Sequence, residues 1–211
     1  MNEIRYTLLT DGSSDAALLP ILTWLLVENG INIPIQSQWA DLGRLPFVIE
    51  TLQQRIELAL DFYPCDLLFI HRDAERQSRM DRVEEITNAI QPMNNLVHLR
   101  PYICVIPIRM TEAWLLLNEQ AIRHAAGNPS GREQLTLPTL ATLESQANPK
   151  QILHDLLNRA SGLKGRRLKQ FPVHFHARRV AEFIDDFSQL RQLLAFAALE
   201  KDIQDFVNRF I

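Results

Sequence analysis

Four short, largely apolar runs, separated by segments with helical periodicity, dominate the first 126 residues. Residues 4–9, 31–38, 66–70 and 102–106 read as strands. Between them, Ser14 or Asp15 caps a helix through Glu28, and Gly30 stops it. Residues 45–62 place Ile49, Leu52, Ile56 and Leu60 at spacings of three and four, an amphipathic helix. Residues 80–90 form another, and Thr111 caps one that runs through Leu117 to Ala125. Apolar strands of this kind need helices on both faces, and strict alternation supplies them. The expected fold is α/β: a doubly wound, mostly parallel, four-stranded Rossmann-like sheet.

Residues 127–211 read differently. Gly127 to Gly131 is a polar turn, residues 135–143 are irregular, and residues 149–160 form a short helix. Residues 180–210 carry apolar side chains at helical spacing, as two helices parted near Ser188. This is an α-helical extension on a core of residues 1–126, the two forming one compact unit. Its last helices carry apolar residues that could serve a homodimer. With 46% apolar and 22% charged residues, the chain has the means to build a core, and disorder is excluded. Cys65 and Cys104 sit inside apolar runs and suit buried thiols in a reducing compartment.

The N-terminus is polar, and the longest apolar stretch, residues 16–27, is broken by Pro20 and Thr23. No export signal and no membrane span is expected, so the default location is the cytoplasm. The sequence contains no Gly-x-x-x-x-Gly-Lys, Gly-x-Gly-x-x-Gly or Gly-x-Ser-x-Gly pattern. A phosphate-cradling P-loop, a dinucleotide fingerprint and a nucleophile elbow are thereby excluded. An aspartyl-phosphate phosphatase ranks low, because Ser13 stands where a second Asp is wanted.

In an open α/β sheet the functional crevice lies beyond the carboxyl ends of the strands. Three of the four strands deliver acids there: Asp11 and Asp15, then Asp73 and Glu75, then Glu112. Each has an ordinary use. Asp15 reads first as a helix N-cap and only second as a ligand. Asp11 before Gly12 fits a turn, and Glu112 near a helix start is stabilised by the helix dipole. Asp73 and Glu75, one residue apart on an extended segment, point the same way and can share one ion. Such a cluster suits a hard divalent cation, Mg²⁺ or Mn²⁺, able to polarise a phosphoryl oxygen or activate a water. The catalytic candidates are Asp11, Asp73, Glu75 and Glu112, and the metal-ligand candidates add Asp15.

The net charge of −3 hides an uneven distribution. No acid occurs between Leu156 and Ala181, where Arg159, Lys164, Arg166, Arg167, Lys169, Arg178 and Arg179 gather. Those seven positive charges leave the remainder of the chain at −10. Gly162 and Gly165 flank Lys164 and would let backbone approach a phosphate. Phe171 and Phe175 could stack bases, with core packing the alternative for at least one. Folded over the acidic crevice, this segment (residues 159–179) would hold DNA or RNA against a metal. Arg72 and Arg109, beside the strand ends, join Lys164, Arg166, Arg167, Lys169, Arg178 and Arg179 as phosphate-binding candidates. A solvated face or a dock for an acidic partner is the plain alternative. His174-Phe175-His176 offers only a weak zinc pair, with no Cys nearby.

Several of these segments resemble known motifs. Thr10-Asp11-Gly12-Ser13-Ser14-Asp15 is similar to the first Toprim motif, where an acid, usually Glu, precedes Gly and a later Asp. His71-Arg72-Asp73-Ala74-Glu75 resembles the Asp-x-Asp second motif at the end of the third strand. Pro107-Ile-Arg-Met-Thr-Glu112-Ala-Trp114 is similar to the Pro-x-x-x-x-Glu-x-Trp signature of a Toprim-like family of unknown function, DUF4276. Leu143-Glu144, Pro149-Lys150 and the Lys164 to Phe175 stretch also look like that family. The resemblance implies a Toprim-like fold and a Mg²⁺-dependent phosphodiesterase, a nuclease paired with a separate ATPase of the OLD or ABC type in anti-phage defence. It places Asp11 as general acid/base, Asp73 and Glu75 as metal ligands, and Glu112 as a further ligand. Asp11 is a methylene shorter than the usual Glu, and Glu75 replaces the usual Asp.

Overall fold

The computed structural model describes residues 2–46, 48–95 and 100–210. Strands β1 (Ile4–Leu9), β2 (Ile35–Trp39), β3 (Leu67–His71) and β4 (Tyr102–Val105) form one parallel sheet in the order β2-β1-β3-β4. The chain moves outward in both directions from the β1–β3 pair, so the switch point where such sheets place their crevice lies between the carboxyl ends of those two strands.

Period-two alternation divides each strand between two cores. Tyr6, Leu8, Leu67, Phe69, Ile103 and Val105 face α1 (Leu18–Glu28), which contributes Leu18, Ile21, Leu22 and Leu25. Leu9, Leu68, Ile70 and Cys104 face α2 (Leu52–Phe62) and α3 (Arg79–Ile90), which contribute Ile56, Ala59, Ile86 and Ile90. The doubly wound α/β fold expected from the alternation is therefore present. Cys65 and Cys104 are buried free thiols.

The rest of the chain adds α4 (Glu119–Ala125), α5 (Pro149–Ala160), α6 (Gly165–Lys169), α7 (Val173–Arg178) and α8 (Leu194–Phe210). Leu153, Leu157, Phe187, Phe196, Leu199 and Ile203 join the same core as α1 and β1. Trp114, fully buried, meets Phe196 edge-on with centroids 5.3 Å apart. Burying a side chain such as Phe196 is worth about 1.5–3 kcal/mol, so the extension draws its stability from the sheet it covers.

Local chemistry moved several boundaries. Residues 13–17 form a 3-10 turn, and α1 begins only at Leu18. Ile31 N–H closes α1 on Leu26 O, which delays β2 to Ile35. Thr51 and Gln54 make a reciprocal capping box, so α2 starts at Leu52 rather than 45; Phe47, inside the expected helix, lies outside the described residues. Thr111 caps nothing: residues 111–115 are a 3-10 turn, and α4 starts separately behind Asn118, whose side chain accepts from Ala121 N–H. The expected pair of C-terminal helices resolves into 3-10 turns at Val180–Phe183 and Ser188–Gln192 followed by α8. No described helix is long and apolar enough to cross a membrane.

Candidate metal centre

β1 and β3 run side by side, with Leu8 opposite Phe69 and Leu9 opposite Ile70. Their carboxyl ends release the chain into residues 10–15 and 72–75, at the switch point. His71 is the last residue of β3 and is 2% exposed. Its Nε2 lies 3.2 Å from Asp73 Oδ1 and 3.0 Å from Thr111 Oγ1. Thr111 also donates its backbone N–H to the same Asp73 oxygen at 3.1 Å. On the other side of the ring, Nδ1 stands 3.8 Å from Asp15 Oδ2 and is buried without a hydrogen-bond partner.

With the Nε2 proton shared toward Asp73 and Thr111, Nδ1 turns a lone pair toward a carboxylate. That arrangement is repulsive unless a proton or a cation lies between them. Asp15, His71 and Asp73 each offer a ligand atom, all within 4.8 Å of one another, so this buried group could hold a metal ion. It is the one such group among the described residues.

The electrostatics agree. Burial raises the pKa of Asp15, and Asp73 raises it further against the opposing charge of His71. Burial alone would lower the pKa of His71, but its bond to Asp73 and the charges of Asp15, Asp73 and Asp11 outweigh that and raise it. Glu112 is buried in the 3-10 turn after β4, and burial raises its pKa; Lys150, 3.6 Å away, pulls it down while Asp15 and Asp73 push it up. Acids coupled in this way are relieved by a shared cation.

A cleft of about 490 Å³ gathers all five acids named from sequence, Asp11, Asp15, Asp73, Glu75 and Glu112, together with His71, Arg72, Arg82 and Lys150. Only Asp15 and Asp73 join His71 in the tight group. Asp15 is no N-cap: Gly12 holds that position for the 3-10 turn, and Asp15 is 6% exposed inside it. Asp11 is exposed at the rim, bound to the Arg72 guanidinium and 4.0 Å from Arg55. Glu75 adopts φ 53, a left-handed turn, and its largely exposed carboxylate lies 4.0 Å from Arg82. The extended geometry that was to align it with Asp73 is therefore not formed.

The basic candidates separate as well. Arg72 bridges Asp11 and Glu85, the latter at 2.7 Å. Arg109, half-buried with φ 68, has no ion pair among the described residues. Lys164, Arg166, Arg167 and Lys169 are exposed on or beside α6, without ion pairs among the described residues and outside the cleft lining. Arg178 and Arg179 end α7, which packs on residues 13–17, and Arg179 pairs with Glu182 at 3.0 Å. Phe171 stacks on His176 at 4.2 Å, while Phe175 is exposed. His176 is committed to the Ala125 carbonyl at 2.6 Å, so the His174–His176 pair does not form; His174 meets His154 instead.

Sequence reasoning passed over His71, Thr111 and the pairing of Lys150 with Glu112. The available signal for His71 was an imidazole closing an otherwise apolar strand, two residues before Asp73. No protein-family model matches this chain, and no curated protein or solved structure matches it significantly.

Proposed function

We propose that this chain is a metal-dependent, Toprim-like phosphodiesterase, a nuclease acting on DNA or RNA, with its ion held by Asp15, His71 and Asp73. The observation that carries the reading is the buried group of Asp15, His71 and Asp73, whose ligand atoms all lie within 4.8 Å of one another. Two carboxylates and an imidazole fit an ion that accepts both oxygen and nitrogen, which favours Mn²⁺ over the oxygen-seeking Mg²⁺. A divalent ion held there supplies Lewis acidity for a phosphoryl oxygen and lowers the pKa of water.

The surrounding residues have definite tasks in this reading. Thr111 fixes both His71 and Asp73. Asp11, tied to Arg72 and near Arg55, keeps a guanidinium at the rim where a phosphate would enter. Glu112, buried with its pKa raised and Lys150 beside it, is the group placed to hold and pass a proton, the role the resemblance gave to Asp11. By that same resemblance the reading includes a DUF4276-type protein of the cytoplasm, a separate ATPase subunit and a part in anti-phage defence.

The test is cleavage of single- and double-stranded DNA and of RNA by the purified chain, with and without its ATPase partner, in Mn²⁺ or Mg²⁺. Cation-dependent cutting that disappears in Asp15→Ala and Asp73→Ala is expected. A metal-replete sample that cuts nothing overturns the reading.

A second reading is favoured by the exposed side chains of Lys164, Arg166, Arg167 and Lys169, which have no ion pair among the described residues. It is a non-catalytic module that binds nucleic acid or a partner protein through this segment. Salt-sensitive binding lost on reversing Arg166 and Arg167, with the acidic group dispensable, is its signature.

A further inference from the structure

Beside the acid-lined cleft lies a smaller pocket of about 310 Å³ with the opposite character. Gly12, Ser14, Glu112 and Lys150 line both, so the two spaces adjoin. Asn148 caps α5 and Pro149 fixes its first turn, which sets Lys150 and His154 four residues apart on one helix face. From α7, packed against both α5 and residues 13–17, come His174 and Arg178. His154 and His174 meet edge to face with centroids 4.6 Å apart.

The lining is rich in donors. Glu112 is its one carboxylate, and Lys150 already stands against it. Arg178 has no carboxylate partner among the described residues; its guanidinium rests 5.4 Å from the Trp39 ring centroid. A cation seated on a ring face keeps its N–H groups free for an anion. Burial and the positive charges of His174 and Lys150 lower the pKa of His154, the mark of a local field that an anion would relieve.

We propose that Lys150, His154, His174 and Arg178 form an anion subsite for a second phosphate of the substrate, next to the phosphate presented to Asp15, His71 and Asp73. The neighbouring first phosphate rests on the phosphodiesterase reading; the subsite itself rests on the pocket. The substrate class is thereby narrowed to one with consecutive phosphates, a nucleotide polymer or a terminally phosphorylated dinucleotide, over a molecule with a single phosphate.

The metal-free full-length chain is titrated with inorganic phosphate to about 10 mM, above the range of a weak single-ion site, while the imidazole NMR signals of His154 and His174 are followed. Saturable shifts of both are expected. Arg178→Ala, at an exposed position, weakens phosphate about tenfold, the loss of one charge-assisted contact. His154→Gln with His174→Gln gives a similar loss by calorimetry, and all these variants keep wild-type Mn²⁺ affinity. With Mn²⁺ present, the dinucleotide pTpT is cut faster than TpT. Wild-type signals that do not respond to phosphate, or phosphate affinity unchanged in both variants, overturn the proposal. Phosphate binding that persists in a chain unable to bind Mn²⁺ supports the subsite and sinks the metal reading alone.

Discussion

The acidic cleft and the basic helix α6 carry opposite charge and are built in opposite ways. In the cleft, Asp15, His71 and Glu112 are each below a tenth exposed, and they come from three separate strand ends. On α6, the cationic side chains stand in solvent and depend on nothing but local sequence. The first site is specified by topology and costs desolvation to assemble; the second is specified by composition and costs almost nothing. Substitutions in the cleft should therefore act steeply and locally, and those on α6 gradually and through salt.

The largest effect is expected of Asp73→Ala, which removes a ligand and the anchor of both His71 and Thr111. Mn²⁺ affinity should fall by more than the ~100-fold that bounds an outer-shell loss, read by calorimetry; near wild-type affinity would break the contrast. Next is Thr111→Val, which leaves every ligand in place and removes only the hydroxyl beside His71 Nε2. A loss of about 10–100-fold in Mn²⁺ affinity is expected.

Smaller still is the double reversal Arg166→Glu with Arg167→Glu. Nucleic-acid affinity should decline with a salt slope shallower by about 1.4–1.8, two phosphate contacts' worth. Each single Arg→Ala change there should move unfolding free energy by no more than about 0.5 kcal/mol. An unchanged slope would mean that α6 touches no phosphate.

A structural ion pair gives the smallest effect and calibrates the rest. Arg191 holds both Glu200 oxygens at 3.0 Å, and this hydrogen bonding keeps the Glu200 pKa below its ordinary 4.5 against the effect of burial. A carboxyl depressed in the folded state stabilises above its unfolded pKa and loses that contribution as pH falls through the folded value. Arg191→Gln should therefore be less stable than wild type at neutral pH. The gap should close below about pH 4.5, as followed by urea unfolding.

The fold was readable where hydrophobic period and punctuation agreed. β1 and α5 fall where expected, and β3, α3 and β4 within one residue, because apolar runs and Asn148-Pro149 leave little choice. α2 was misplaced because helical spacing continued upstream of Thr51, where the capping box rather than the apolar pattern sets the start. The site was half legible. Strand ends and acids located the crevice, and Asp15 and Asp73 were among the candidates. Which acids turn inward depends on backbone that the sequence pattern does not report: the left-handed Glu75 swings one carboxylate away, and the 3-10 turn at residues 13–17 carries Asp15 in. His71 was hidden because the strand was expected to end at residue 70, which left the histidine with the polar cluster after it, whereas β3 continues through it and buries it.

The central claim is that His71 and the two aspartates bind one divalent ion. Pulsed electron paramagnetic resonance of the Mn²⁺-loaded chain tests it most directly. One bound ion per chain is predicted, with a directly coupled imidazole nitrogen whose signal vanishes in His71→Gln. Mn²⁺ bound without nitrogen coupling, or coupling that survives in His71→Gln, would contradict the account.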